Sequence, residues 1–141
     1  MTRWWKLPLA GDIVWAYFPD ELQTEPADKP RPALLLTVYD DAAPHFGALV
    51  AYGTSQRVTH LYRGEFAITR ADADAFKVAG LSYDTKFNLV RRLQLPYNDE
   101  YFGVPPGAPH GHRPRLGVLH AALTQRAAAA WRAAQSKASV R

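Results

Sequence analysis

Hydrophobic positions along this chain fall in short clusters broken by proline, glycine and acidic residues, and only the C-terminal part carries a helical period. Gly11-Asp12-Ile13-Val14-Trp15-Ala16-Tyr17-Phe18 is dense in β-branched and aromatic residues and stops at Pro19, which predicts a first strand. A polar, acidic loop over 19–30 follows. The run Ala33-Leu34-Leu35-Leu36-Thr37-Val38 places a second strand over 31–39; it is far too short to span a membrane and has the branched apolar content of a core strand. Asp40-Asp41-Ala42-Ala43-Pro44 turns the chain into a third strand over 46–52, closed by Gly53 just before Thr54-Ser55-Gln56. A short strand is expected over 65–68 and a short helix over 70–79, stopped by Gly80. Over 85–95, Phe87, Leu89 and Leu93 alternate in part with Lys86, Asn88 and Arg92, the pattern of a half-buried strand. The proline- and glycine-rich stretch 103–114 must be a loop. From 116 to 134, Leu119, Leu123, Ala127 and Trp131 recur at steps of four beside a run of alanines, which predicts a C-terminal helix with one packed stripe.

Short strands with little helix between them, followed by one terminal helix, give a mainly β fold with helices: a small, strongly bent antiparallel sheet closed as a barrel, with the helix plugging one end. A doubly wound parallel sheet would need crossover helices that the early connections do not contain. The length of 141 residues fits a single domain over 1–141, and 48% apolar residues suffice for one core.

Composition and charge narrow the setting. The chain has no cysteine, so neither a disulfide scaffold nor a thiolate metal site can form, and a reducing, cytoplasmic location is expected. The N-terminus lacks the apolar core of a signal peptide, and no stretch reaches the length of a transmembrane helix. The net charge of +4 is unevenly spread: Glu100 is the last acidic residue, and Arg113, Arg115, Arg126, Arg132, Lys137 and Arg141 leave the C-terminal segment wholly basic. Such a segment attracts phosphate or an acidic partner, or forms a solvated helix face.

Among candidate functional residues, Arg31 stands out because it lies between Pro30 and Pro32 at the mouth of the second strand. Proline fixes its own φ and biases its predecessor toward extended geometry, so the guanidinium leaves the backbone in a defined direction, as suits a group that holds an oxyanion. The competing role is an ion pair with Glu21, Glu25 or Asp28 of the preceding loop. Thr54 and Ser55 offer hydroxyls at a strand end, or cap the loop by bonding its backbone. Trp15 is expected in the core, and Trp4 and Trp5 at the surface, at a dimer contact or over RNA. His110-Gly111-His112 has neither a third ligand nor fixed geometry, so no metal site is expected.

Taken in order, Gly11-Asp12-Ile13-Val14-Trp15 with Phe18-Pro19, then Arg31-Pro32-Ala33-Leu34-Leu35-Leu36, then Thr54-Ser55-Gln56, resemble the MazF/PemK toxins of bacterial type II toxin–antitoxin systems. Leu116-Gly117-Val118-Leu119 before a helix is also similar to that family. The resemblance is strong over 11–56 and weak over 57–115. It implies a small SH3-like (CcdB/MazF-type) antiparallel barrel, usually a homodimer, that cleaves single-stranded RNA without a metal or cofactor and is neutralised by a cognate antitoxin. It also implies that Arg31 and Thr54 line the active site. Lys86-Phe87-Asn88 resembles a segment where some relatives carry an arginine and an aspartate for acid–base work; lysine and asparagine stand there in this chain. A family acidic position falls near Tyr17, and the loop over 20–28 is longer than its counterpart. The 2′-hydroxyl of RNA is its own nucleophile, so the chemistry needs a base, an acid and donors for the phosphorane. Arg31, Thr54, Ser55 and Lys86 are the expected catalytic residues, and Gln56, Asn88, Tyr17 and His60 the expected RNA-binding ones, with His60 also able to act as base. The alternative is a non-catalytic barrel that binds RNA or a protein target such as DNA gyrase.

Overall fold

The apolar run that opens the second strand skips no position because the strand is covered on both sides: Leu34 packs in one hydrophobic cluster, and Ala33 and Leu35 pack in another. The computed structural model describes residues 1–136. Its strands are β1 (Asp12–Ala16), β2 (Arg31–Tyr39), β3 (Gly47–Thr54), β4 (Glu65–Ile68), β5 (Thr85–Pro96) and β6 (Arg115–Val118), with helices α1 (Asp74–Val78) and α2 (Thr124–Gln135). The six strands form one antiparallel sheet in the order β4-β5-β3-β2-β1-β6, curled into a half-barrel.

Period-2 alternation divides the strand side chains between the two clusters. Ile13, Leu34, Ala51, Phe66 and Phe87 face one cluster, which α2 covers with Ala127, Ala130 and Trp131 and the turn before it with Leu123. Val14, Ala16, Leu35 and Val50 face the other, which Trp5, Tyr97 and Phe102 cover. The four-residue stripe expected at the C-terminus is therefore packed, Leu119 included.

Four expectations are corrected. The barrel does not close, since β4 and β6 are not hydrogen-bonded to each other. The segment around α1 packs against β6 instead: a Cβ on Gly117 would collide with the backbone of Val78 and Ala79. Residues 115–118 are the edge strand β6 and not the start of a helix; α2 begins only at Thr124, after a 3-10 turn over Ala121–Leu123 that His120 caps, its Nδ1 accepting from the Ala122 amide at 2.9 Å. Leu119 and Leu123 reach the same core from either side of that turn, so their spacing imitates a continuous helix. Trp5 is buried, and its Nε1 donates to the Phe102 carbonyl at 3.0 Å; of the N-terminal pair, Trp4 alone is partly exposed, stacked on His45. Trp15 is half-buried and not part of either core cluster.

The basic C-terminal segment is partly neutralised within the chain. Arg115 lies 3.4 Å from Asp12, and Arg126 lies 3.0 Å from Asp72. Lys137 and Arg141 lie outside the described residues. Among the described residues no helix is long and apolar enough to cross a membrane.

Candidate functional site

Arg31 opens β2 directly opposite Ala16, the last residue of β1. On its other side β2 pairs with β3, with Ala33 opposite Tyr52. That is the last pair at this end, and Arg31 and Thr54, the last residue of β3, each lie two residues beyond it. The close approach of the two strand ends depends on Gly53, where a Cβ would collide with the Pro32 carbonyl.

The two residues line one cleft of about 630 Å³ together with Ser55, Lys29, Trp15, Ser82, Tyr83 and Thr85, and Pro106 and Pro109 of the proline-rich loop form part of its wall. The lining carries two cations, Lys29 and Arg31, and neither a carboxylate nor an imidazole. Thr54, Ser55 and Ser82 add hydroxyls to the lining, while the Thr85 hydroxyl is committed to the Tyr83 carbonyl at 2.7 Å. Cations and hydroxyl donors converging without acidic neighbours favour an anion, and a guanidinium presents forked donors matched to phosphate oxygens.

Among the described residues Arg31 forms no ion pair. The expected competitor Glu21 is turned toward Arg91, at 3.9 Å, and the Arg91 guanidinium lies 3.9 Å from the centre of the Tyr52 ring. Thr54 serves its loop as well as its cleft: its Oγ1 accepts from the Gln56 amide at 3.1 Å. A hydroxyl that accepts one bond keeps its own hydrogen for donation, so the cap does not remove Thr54 from the cleft.

The other residues singled out from the sequence lie elsewhere. Lys86 sits across from Thr54 in the β3–β5 register, yet its ammonium is buried between Glu65 and the His60 carbonyl. Asn88 is committed to the backbone: its Oδ1 accepts from the amides of Val90 and Arg91 at 2.9 and 3.2 Å, at the irregularity where β5 gains residues relative to β3. The His60 ring lies against Tyr62, with centroids 4.7 Å apart. Tyr17 lies against Gly103, and the Gln56 side chain is exposed beyond the cleft. None of these five is part of the cleft lining.

The structure adds Lys29, Trp15 and Tyr83 to the residues read from the sequence. Lys29 was legible, since it belongs to the same Lys-Pro-Arg-Pro run as Arg31. Tyr83 had no such signal: it follows the helix stop at Gly80 and comes to the cleft only because β5 pairs with β3. Tyr83 is 67% exposed, which leaves its ring open to solvent at the cleft. Among the described residues no three of His, Cys, Asp and Glu come together as metal ligands. No protein-family model and no curated protein matches this chain.

Proposed function

We propose that this chain is an endoribonuclease of the MazF/PemK toxin class, its half-barrel an SH3-like (CcdB/MazF-type) fold, and that it cuts single-stranded RNA in the cleft between β2 and β3. The observation that carries this reading is that Arg31 and Thr54 share a cleft whose lining holds two cations and no carboxylate. The order of motifs along the chain supports it.

In the proposed step the RNA 2′-oxygen attacks the adjacent phosphorus, the bond to the 5′-oxygen breaks, and a 2′,3′-cyclic phosphate forms. With no carboxylate or imidazole in the lining, the 2′-hydroxyl proton passes to solvent water and the leaving 5′-oxygen takes one from water. Arg31 holds the non-bridging oxygens as negative charge builds on them; Thr54 and Ser55 add hydroxyl donors, and Lys29 holds a neighbouring phosphate. Donors aimed at developing charge are commonly the largest single contribution to catalysis. Trp15 and Tyr83 offer rings to unpaired bases, which single-stranded RNA can present and duplex cannot.

Partners follow from the same charge logic. An antitoxin segment bearing carboxylates would occupy the cationic cleft, and a second copy of the chain would form the homodimer usual in that class. The cell interior, where RNA resides, is the proposed location.

One observation favours a second reading. The cleft lining contains no carboxylate or imidazole to take the 2′-proton, so a non-catalytic RNA-binding barrel has specific support. Incubating the purified chain with mixed-sequence single-stranded RNA in the presence of a chelator, beside Arg31→Ala, separates the two. Discrete products ending in cyclic phosphate, reduced about 10²–10³-fold in rate by the substitution, support the enzyme. RNA retention without cleavage supports the binder, and cleavage unchanged by the substitution discards the site.

A further inference from the structure

Lys86 and Glu65 form an ion pair whose side chains are only 6% and 7% exposed, at a nitrogen–oxygen distance of 3.0 Å. Burial of two charges is costly unless further hydrogen bonds complete their coordination. Here those bonds all run to one loop. The Lys86 ammonium donates to the His60 carbonyl at 2.9 Å, and the Glu65 Oε1 that it contacts also accepts from the Tyr62 amide at 2.8 Å. Tyr62 closes over the pair, its ring centre 5.2 Å from the Lys86 nitrogen.

The loop held this way is 55–64, which begins at Ser55 in the cleft and returns to the sheet at Glu65. Its far end is tied a second time, where the Arg63 guanidinium donates to the Ala133, Ala134 and Ser136 carbonyls at the end of α2 and the Leu89 amide donates to the Gly64 carbonyl. Arg57 sits at φ 51°, the His60 amide bonds back to Arg57, and the residues between are largely exposed. Lys86 is also the cross-strand neighbour of Thr54. One side chain therefore links the strand position beside Thr54 to the far end of the loop that Thr54 and Ser55 open.

We propose that the buried Lys86–Glu65 pair is a positioning device that fixes loop 55–64, so that the Thr54 and Ser55 hydroxyls keep their places beside Arg31. This rests on the proposed ribonuclease reading for its consequence in catalysis. Lys86 then acts through the loop and not on the phosphate, although it carries a charge one strand away from the cleft. Replacing a buried ion pair by an apolar pair commonly restores stability, whereas removing one partner leaves the other charge uncompensated. Only the ionic pair, however, can bond the His60 carbonyl and the Tyr62 amide.

The test compares Lys86→Met and the double variant Lys86→Met/Glu65→Leu with the unsubstituted chain, by thermal unfolding, amide hydrogen exchange and RNA cleavage. Lys86→Met alone is expected to lower the Tm. The double variant is expected to recover the Tm while amides of 55–64 still exchange about tenfold faster than in the unsubstituted chain. Its kcat should remain about 10–100-fold down, because reacting groups held loosely lose orientation, with KM within about twofold. A double variant that recovers Tm, exchange protection and kcat together would overturn the proposal, as would normal protection of 55–64 in both variants. If the unsubstituted chain does not cleave RNA, the ribonuclease reading fails, and the exchange measurement alone decides whether the pair fixes the loop.

Discussion

Arg31, which opens β2, and Thr54, which closes β3, line the same cleft, each two residues beyond the last β2–β3 pair, Ala33 with Tyr52. Residues 23 positions apart in the chain are thus brought to one cleft by the β2–β3 pairing. Pro30 and Pro32 restrict the backbone on one side, and the missing side chain of Gly53 permits the approach on the other.

That approach makes Gly53→Ala a sensitive substitution. The added methyl would collide with the Pro32 carbonyl and lie 2.9 Å from the Phe87 ring, both fixed by the sheet. Overpacking of this kind costs about 1–3 kcal/mol. Urea unfolding is expected to show that loss, and RNA cleavage by the folded fraction to fall with it, since the strand ends must part.

Binding of single-stranded RNA is expected to depend on salt and on an aromatic side chain through separate residues. If Lys29 neutralises one phosphate, Lys29→Ala reduces the slope of log affinity against log salt by about 0.7, while weakening RNAs of different sequence alike. Tyr83→Ala, by contrast, leaves that slope unchanged and weakens binding by about 1–3 kcal/mol if one base stacks on the ring. Fluorescence anisotropy across a salt series measures both.

The pairing of Asp72 with Arg126 gives a stability that depends on pH. Asp72 accepts from Arg126 at 3.0 Å and from the Thr69 amide at 2.8 Å, and the Arg126 guanidinium beside it holds its carboxyl below the usual value of 3.8, against the opposing effect of burial. The folded chain thus prefers the ionised acid. The stabilisation is present above pH 3.8 and disappears as pH falls through the lowered folded value. Because Arg126 is 45% exposed, solvent screening keeps the contribution to about 0–1 kcal/mol. Asp72→Asn should reduce stability at pH 7, and the difference from the unsubstituted chain should vanish in strong acid; denaturant unfolding at both pH values checks it.

Much of the sheet was legible because its signals are local. β2 and β4 begin and end where the apolar clusters and their prolines and glycines place them, and Arg31 with Thr54 and Ser55 was visible as a fixed cation and a hydroxyl pair. What escaped depends on contacts distant in sequence. Residues 115–118 form a strand only because β1 offers an edge to pair with. Lys86 and Asn88 carry the right chemistry for a site, yet the first is drawn to Glu65 and the second to the Val90 and Arg91 amides, partners that no periodicity announces. Tyr83 comes to the cleft by strand pairing alone. That β4 and β6 stay unpaired is likewise a matter of tertiary packing, with the α1 segment set against Gly117 of β6.

The sharing of one cleft by Arg31 and Thr54 is tested most directly by a double-mutant cycle on single-stranded RNA cleavage, with Arg31→Ala, Thr54→Val and the two combined. Groups that act together on one phosphate are grossly non-additive, so the double variant should lose kcat/KM by far less than the product of the two single losses. Losses that multiply independently, or a Thr54→Val chain as active as the unsubstituted one, would contradict a shared site.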